Sequence, residues 1–245
     1  MYKYGLIGKT LNHSFSKAFF TKYFEENNID ASYLNFELPE INKIEEVFHL
    51  ENLKGLNVTI PYKEQIIPFL DELSIEANSI GAVNVVQFCN GKKIGHNTDA
   101  FGFHQMIKPF LTNKHERALI LGTGGASKAI KYVFKSLGVD IITISRTPKG
   151  PKEFSYEDIN EHMLNACKVV VNCTPIGTFP NVEESVVFPF EYLTEEHLVI
   201  DLIYNPAETL FLRKSKENNA TILNGESMLK HQALKAWEIW NSENE

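Results

Sequence analysis

Apolar residues in the first half of the chain recur with strand and helix periods in turn. Short or alternating apolar runs predict strands over residues 4–7, 31–38, 55–59, 83–88 and 92–95. The last two runs flank Asn90-Gly91, a pair typical of a hairpin turn because both residues tolerate positive φ. Helical spacing predicts helices over 17–27, 41–48 and 97–111. Pro61 indicates the start of one more helix, because proline is favoured at the first helical position.

The second half alternates short apolar strands with amphipathic helices. The predicted strands cover residues 117–122, 140–145, 168–172, 198–202 and 221–223. The predicted helices cover residues 126–137, 208–217 and 227–242. Strands that alternate with helices imply parallel sheets, so the predicted fold class is α/β. The change of pattern places a domain boundary inside the helix over 99–111.

Composition narrows the class of protein. The 245 residues are 43% hydrophobic and 22% charged, which is ordinary globular usage and argues against extensive disorder. The net charge of −7 and the scattered basic residues argue against a nucleic-acid partner. Three cysteines without a paired motif predict no disulfide framework, and His13, His96 and His104 lack metal-ligand spacing. No apolar run approaches the roughly 18 residues that span a bilayer. We therefore expect a cytoplasmic protein without a membrane partner.

A glycine-rich turn between a predicted strand and a predicted helix indicates a dinucleotide site. Gly122 suits the tight turn, Gly124 leaves room for a pyrophosphate, and helix-terminal N–H groups can hold the anion. The third fingerprint position is Ser127 rather than glycine, so a plain strand–helix turn remains an alternative. The following strand ends in hydroxyls and cations with no acid among them: Ser145, Arg146, Thr147 and Lys149. An arginine in place of the acid favours NADP over NAD.

Four polar segments of the first half lie at strand ends, where α/β sheets place their ligands. They cover residues 14–16, 57–63, 81–84 and 95–99 and offer hydroxyls, amides, one ammonium and one carboxylate. This set suits a polyhydroxylated, anionic small molecule. Lys63 is the most informative residue, because a cation in the first turn of a helix opposes the macrodipole. Two simpler interpretations stay open: Ser14 and Ser16 could be helix caps, and Asp99 a plain first-turn charge.

The order and spacing of these segments resemble the shikimate dehydrogenase family over nearly the whole chain. The similar segments of the first half are Ser14-x-Ser16, Asn57-Val58-Thr59-x-Pro61-x-Lys63, Gly81-Ala82-x-Asn84 and Asn97-Thr98-Asp99. Those of the second half are Gly122-x-Gly124-Gly125-Ala126, Asn172-x-Thr174-Pro175-x-Gly177, Asp201-x-x-Tyr204-x-Pro206-x-x-Thr209 and Gly225-x-x-Met228-Leu229-x-x-Gln232-Ala233. The chain departs from the family's usual pattern at Ser145, where Asn is common, and at Gly150, where a cation is common.

The resemblance implies a two-domain α/β protein. Residues 1–100 would form an N-terminal α/β substrate-binding domain, completed by a C-terminal helix over 226–245. Residues 101–225 would form a Rossmann-like, doubly wound NADP-binding domain. The implied activity is the reversible reduction of 3-dehydroshikimate to shikimate with NADPH, a step of the shikimate pathway toward aromatic amino acids.

The resemblance also implies the roles of individual residues. Lys63 and Asp99 would be the catalytic pair. The implied substrate-binding residues are Ser14, Ser16, Asn57, Thr59, Lys63, Asn84, Asp99, Tyr204 and Gln232. The implied cofactor-binding residues are Gly122, Gly124, Gly125, Ala126, Ser145, Arg146, Thr147, Lys149, Thr174, Gly177 and Gly225. No metal is implied, and the implied small-molecule partners are the substrate and NADP.

Three other functions stay open at this point. The first is a quinate-oxidising relative that uses NAD, and the second is a non-catalytic sensor of shikimate or NADP. The third is a folate-type dehydrogenase with the same two-domain plan, which would leave Ser14, Ser16 and Gln232 without a clear role. The sequence does not give the oligomeric state, and a homodimer remains open.

Overall fold

The polypeptide folds around two separate β-sheets. The structure, a computed structural model, describes residues 1–11 and 14–242. His13 lies outside the described residues. Backbone contacts divide the chain into two units, residues 1–102 with 229–245 and residues 103–228. The division falls inside the helix Asp99–Ile107.

The first unit contains a mixed sheet. Its described strands are β1 (Tyr2–Gly8), β2 (Ala31–Glu37), β3 (Leu53–Val58), β4 (Glu72–Leu73), β5 (Val85–Cys89) and β6 (Lys92–His96). Their order is β2-β1-β3-β5-β6-β4. The expectation of wholly parallel sheets is wrong here, because β5 runs antiparallel to both β3 and β6. Asn90 and Gly91 join β5 to β6 with φ angles of 50° and 75°, so the predicted hairpin turn is confirmed.

Helices cover both faces of this sheet. They are α1 (Phe15–Glu26), α2 (Ile44–Phe48), α3 (Ile75–Ile80), the start of α4 (Asp99–Ile107) and most of α8 (Glu226–Asn241). One apolar layer joins aromatic residues of α1 to Tyr4, Tyr33 and the buried stripe of α8. The other layer joins α2 to residues of β3 and of the segment that follows β3. The indole of Trp240 lies so close to Gly55 that a Cβ there would overlap it.

The second unit contains a parallel sheet. Its described strands are β7 (Arg117–Leu121), β8 (Asp140–Ile144), β9 (Glu153–Phe154), β10 (Val169–Asn172), β11 (Leu198–Asp201) and β12 (Thr221–Leu223). Its helices are α5 (Gly125–Ser136), α6 (Glu161–Ala166) and α7 (Leu210–Glu217). The strand order β12-β11-β10-β7-β8-β9 is that of a doubly wound dinucleotide-binding fold. The order reverses between β7 and β10, so the carboxyl ends of these two strands border the ligand crevice expected of such sheets.

The helix predicted to begin at Pro61 does not form. Residues 60–66 form consecutive turns, followed by a 3₁₀ segment over Ile67–Phe69. Pro61 and Pro68 stand only seven positions apart, and proline disfavours the α conformation of the residue before it. Too few residues remain between them to offset the cost of nucleating a helix. The expectation that Lys63 lies in the first turn of a helix and opposes its macrodipole is therefore wrong. The importance of Lys63 follows instead from its contacts.

The sequence patterns also missed several short elements. These are β4, α3, β9 and α6, none of which exceeds six residues. Elements of this length carry too few residues for a clear period. The predicted helix over 41–48 begins as a 3₁₀ segment over Ile41–Lys43 before α2. Within the described part of the chain, no helix is long and apolar enough to cross a membrane.

Candidate active site

A buried ion pair lies at the centre of the polar residues of the first unit. The Nζ atom of Lys63 donates to Oδ2 of Asp99 at 2.6 Å. The side chain of Asp99 is 2% exposed, whereas that of Lys63 is 14% exposed. Asp99 is the first residue of α4, where the macrodipole favours a negative charge. The Lys63 side chain therefore keeps some solvent exposure, while the carboxylate of Asp99 is enclosed.

Hydrogen bonds from one segment, Val83 and Asn84, hold both partners of this pair in place. The backbone N–H of Val83 donates to the carbonyl of Lys63 at 2.7 Å, which fixes the turn after β3. Both ends of the Asn84 amide bond to Thr98: Oδ1 accepts from the Thr98 N–H at 2.7 Å, and Nδ2 donates to Oγ1 at 3.1 Å. Thr98, the residue before Asp99, is thereby tied to Asn84, which directly precedes β5.

Asn57 and the serine segment meet at a buried tyrosine. The hydroxyl of Tyr33 donates to Oδ1 of Asn57 at 2.6 Å, and the side chain of Ser16 lies beside that hydroxyl and favours its charged form, which opposes the rise of the Tyr33 pKa by burial. Nδ2 of Asn57 in turn donates to the carbonyl of Asn84 at 3.4 Å. Ser14 is the N-cap of α1, because its Oγ accepts from the Lys17 N–H at 3.1 Å. The cap role considered for Ser14 is thus present, and its hydroxyl hydrogen is not used in that bond.

The remaining candidate substrate residues lie at three places. Thr59 is half-buried directly after β3, and its N–H donates to the carbonyl of Ile7 at 2.9 Å. Gln232 is half-buried on the part of α8 that belongs to the first unit. The C-terminal turn of that helix is anchored by Gln87, whose Nε2 donates to the carbonyl of Ile239 at 2.6 Å. Tyr204 is half-buried in the second unit, after β11.

The glycine-rich turn between β7 and α5 fits a pyrophosphate. Gly122 has a φ of 103°, in the region that favours glycine, and its N–H donates to the carbonyl of Ile144 at 2.9 Å. Gly124 occupies the N-cap position of α5, and no side chain caps that helix. A Cβ on Gly124 would meet nothing within 4 Å, so open space lies in front of the helix. Ser127, where the fingerprint has glycine, is buried and donates from Oγ to the Gly124 carbonyl at 2.6 Å. Gly125 and Ala126 begin the helix.

The end of β8 carries the residues predicted to read the adenosine ribose. Ser145 is buried, and its Oγ accepts from the Thr147 N–H at 3.2 Å. Arg146, Thr147 and Lys149 are exposed. The Lys149 N–H donates to Oε2 of Glu153 at 2.9 Å, so one carboxylate that the sequence did not indicate braces this turn. Two cations and two hydroxyls on one turn suit a dianionic phosphate.

A buried polar network supports the loop after β10. Oδ1 of Asn172 accepts from Oγ1 of Thr174 at 2.7 Å, while its Nδ2 donates to Asp201 at 3.1 Å. The other oxygen of Asp201 accepts from Oγ1 of Thr209 at 2.7 Å. Burial raises the pKa of Asp201 to about 6, although hydrogen bonds from Thr209 and two other donors favour its charged form. The two later glycines are sterically required: Gly177 has a φ of 95°, and a Cβ on Gly225 would overlap the Leu202 carbonyl.

Comparisons with known proteins identify the family. The model of the shikimate dehydrogenase substrate binding domain matches residues 6–86. A shikimate dehydrogenase (NADP(+)) of Clostridium botulinum is 39% identical over 98% of this chain and 96% of that protein. The chain belongs to the shikimate dehydrogenase family.

Solved structures of the family share this fold. A shikimate dehydrogenase from Peptoclostridium difficile superposes with a TM-score of 0.86 at 38% identity, over 100% of this chain and 93% of that one. A shikimate 5-dehydrogenase from Thermus thermophilus, in complex with NADP(H) and shikimate, superposes with a TM-score of 0.85 at 30% identity. The superposition covers 98% of this chain and 94% of that one. The family resemblance and the α/β fold with a Rossmann-like second unit are therefore confirmed.

The family motifs did not predict the contacts that three residues make near these candidate sites. Tyr33 lies outside every motif, and its only signal is a buried hydroxyl that needs a partner. Thr98 lies within a motif, but only the fold shows that its backbone and hydroxyl bond to Asn84. Glu153 lies several residues after the predicted strand, and it belongs to β9, which pairs with β8. Among the described residues, no group of three or more His, Cys, Asp or Glu side chains could hold a metal.

Proposed function

We propose that this chain catalyses the reversible reduction of 3-dehydroshikimate to shikimate with NADPH. The observation that carries the proposal is the Lys63–Asp99 pair, in which a largely buried lysine lies 2.6 Å from an enclosed carboxylate. A positioned cation that can give up a proton is what the reduction of a ketone to an alcohol requires. The family's activity and the polar residues near this pair agree with that chemistry.

Lys63 is the proposed general acid. NADPH, when bound, supplies the hydride that the ketone carbon accepts. Negative charge then develops on the ketone oxygen, and the Lys63 ammonium donates a proton to it. Asp99 accepts a hydrogen bond from the ammonium and so orients Lys63 toward the substrate side. In the oxidation direction neutral Lys63 takes the proton back from the hydroxyl.

The substrate is proposed to bind through the polar side chains of the first unit. The proposed residues are Ser14, Ser16, Asn57, Thr59, Asn84, Asp99 and Gln232. The Ser14 hydroxyl suits a carboxylate best, because its oxygen already accepts from Lys17 and its hydrogen can be donated. The serines and amides provide the specificity for a ring that carries several hydroxyls and one carboxylate.

The second unit is proposed to bind NADP. Gly122, Gly124 and the uncapped start of α5 would hold the pyrophosphate. Ser145, Arg146, Thr147 and Lys149 would hold the 2′-phosphate, and the loop with Thr174 and Gly177 would border the nicotinamide. The three cysteines are free thiols, which supports the proposed cytoplasmic location.

One assay separates this function from its rivals. The purified chain is offered shikimate or quinate with NADP or NAD, and formation of the reduced nicotinamide is followed by its absorbance. We expect the highest kcat/KM with shikimate and NADP. Turnover of quinate with NAD at a higher kcat/KM would indicate the quinate-oxidising alternative. Binding of shikimate without turnover of any pair would indicate a sensor and refute the catalytic proposal.

A further inference from the structure

One face of β2 carries three polar side chains, and two of them contact the backbone of Leu11 shortly before the serines. Tyr33, Asn35 and Glu37 are alternate residues of this strand, so their side chains point to the same side of the sheet. The residues between them point to the opposite side, where Phe36 packs against the other apolar layer. We call Tyr33, Asn35 and Glu37 the β2 polar row.

Asn35 and Glu37 hold the backbone of Leu11. Oε1 of Glu37 accepts from the Leu11 N–H at 2.6 Å, and Nδ2 of Asn35 donates to the Leu11 carbonyl at 3.1 Å. The Leu11 side chain is buried at 6% exposure. Both peptide groups of this residue are therefore fixed three positions before Ser14, at the entry to α1.

Tyr33 holds the other end of the same segment. Its hydroxyl donates to Asn57 and lies beside the side chain of Ser16, and these two residues are far apart in the chain. The ring is 4% exposed and stacks on Phe20, with centroids 4.8 Å apart and planes 13° apart. Burial raises the pKa of Tyr33 well above its ordinary value, so the hydroxyl stays protonated and keeps its donor. A rigid, neutral phenol thus sets the orientation of one hydroxyl and one amide at once.

We propose that Tyr33 is a positioning residue for substrate recognition, which orients Ser16 and Asn57 toward the substrate, while Asn35 and Glu37 hold the backbone of Leu11 shortly before Ser16. This inference rests on the proposed function, because it assumes that Ser16 and Asn57 bind the substrate. Tyr33 itself need not touch the substrate. Its removal leaves Ser16 and Asn57 in place without a common partner, so each can rotate before binding and must be ordered on binding.

The test compares two tyrosines of the same sheet. Tyr33→Phe removes the hydroxyl and keeps the packed ring. Tyr4→Phe is the matched control, because Tyr4 is paired with Tyr33 in the β1–β2 register and is also buried, at 3% exposure. For Tyr33→Phe we expect KM for shikimate to rise about 3- to 10-fold, the range of one lost hydrogen bond, with kcat within about twofold. The KM for NADP should stay unchanged, and Tyr4→Phe should alter neither KM.

A double-mutant cycle then tests whether Tyr33 acts through Ser16. Ser16→Ala should raise KM for shikimate by a smaller factor in the Tyr33→Phe background than in the wild type, because the Ser16 side chain lies beside the Tyr33 hydroxyl and neighbouring side chains couple. If each substitution raised KM by the same factor in both backgrounds, the two residues would act independently, and Tyr33 would not act through Ser16. Glu37 provides a second readout: Glu37→Met should raise KM for shikimate, and Glu37→Gln, which keeps an acceptor for Leu11, should restore it.

The outcomes separate this inference from the proposed function. An active wild type together with an unchanged KM in both Tyr33→Phe and Glu37→Met would overturn the positioning role alone. Equal rises in KM for shikimate and NADP would also overturn it, because they would indicate a general loss of structure. A wild type that turns over no shikimate would refute the proposed function and this inference with it.

Discussion

Replacement of Lys63 by methionine separates the catalytic and the structural roles of the buried pair. Lys63→Met removes the ammonium and keeps an unbranched side chain of similar length. The proposed general acid is then absent, and we expect kcat to fall by about 10²- to 10⁴-fold, the usual contribution of general acid–base catalysis. KM for shikimate should change little, because the hydroxyls and amides that bind the substrate remain.

The same variant should also lose stability. Asp99 is 2% exposed and would be left as a buried carboxylate without its cation. Breaking a buried pair from one side costs about 3–5 kcal/mol. Lys63 is 14% exposed, so the pair is not fully enclosed and we expect the lower end, about 3 kcal/mol. The free energy of unfolding in urea measures this loss, and activity is assayed at a temperature where circular dichroism shows the variant folded.

A second substitution distinguishes the two effects. The double variant Lys63→Met/Asp99→Asn removes both charges, so most of the stability should return while kcat stays low. A Lys63→Met variant with wild-type kcat would refute the role of Lys63 as proton donor. An unchanged free energy of unfolding in Lys63→Met would refute the energetic argument for a buried pair. A double variant as unstable as the single one would have the same consequence.

Three further predictions concern the cofactor turn, the core and pH. The wild type should show a kcat/KM at least about tenfold higher with NADP than with NAD, and Arg146→Ala should remove most of that preference by weakening NADP; equal use of both cofactors by the wild type would contradict this. Gly55→Ala should lower the free energy of unfolding by about 1–3 kcal/mol because its Cβ overlaps Trp240, whereas the exposed Gly150→Ala should change it by less than about 0.5 kcal/mol. Asp201 has a pKa raised to about 6 by burial, so its contribution to stability is present at low pH and is lost as pH rises from about 4 through 6. Between about pH 5 and 7.5 the free energy of unfolding should therefore fall by about 1.4 kcal/mol more in the wild type than in Asp201→Asn; parallel pH profiles would show that the raised pKa is wrong.

Local sequence signals predicted the second unit well. Its long strands are continuous apolar runs, and the glycine turn after β7 carries its own conformational requirement at Gly122. The hairpin at Asn90-Gly91 is local in the same sense, because two residues define the turn. Boundaries of the main strands differ from the predicted ones by only a few residues.

The contacts that build the site are long-range, and single-sequence patterns do not contain them. Lys63 meets Asp99 across 36 residues of chain, and Tyr33 meets Asn57 across 24. The turns around Lys63 show the same limit: Pro61 does not start a helix, and its segment is held by a hydrogen bond from Val83, which lies in the loop before β5. Motif resemblance supplied the identity of several site residues, but their shared hydrogen bonds required the fold.

The closing helix has a consequence for how the chain folds during synthesis. Domains near the N-terminus usually fold first as the chain leaves the ribosome. Here the core of the first unit includes Ala233, Ala236 and Trp240, and the Trp240 indole donates to the carbonyl of Val86 at 3.1 Å. The first unit therefore completes its core only after Trp240 has emerged, whereas all the described strands of the second unit, the last of which ends at Leu223, are available earlier. The unit that is translated first is the one that is finished last.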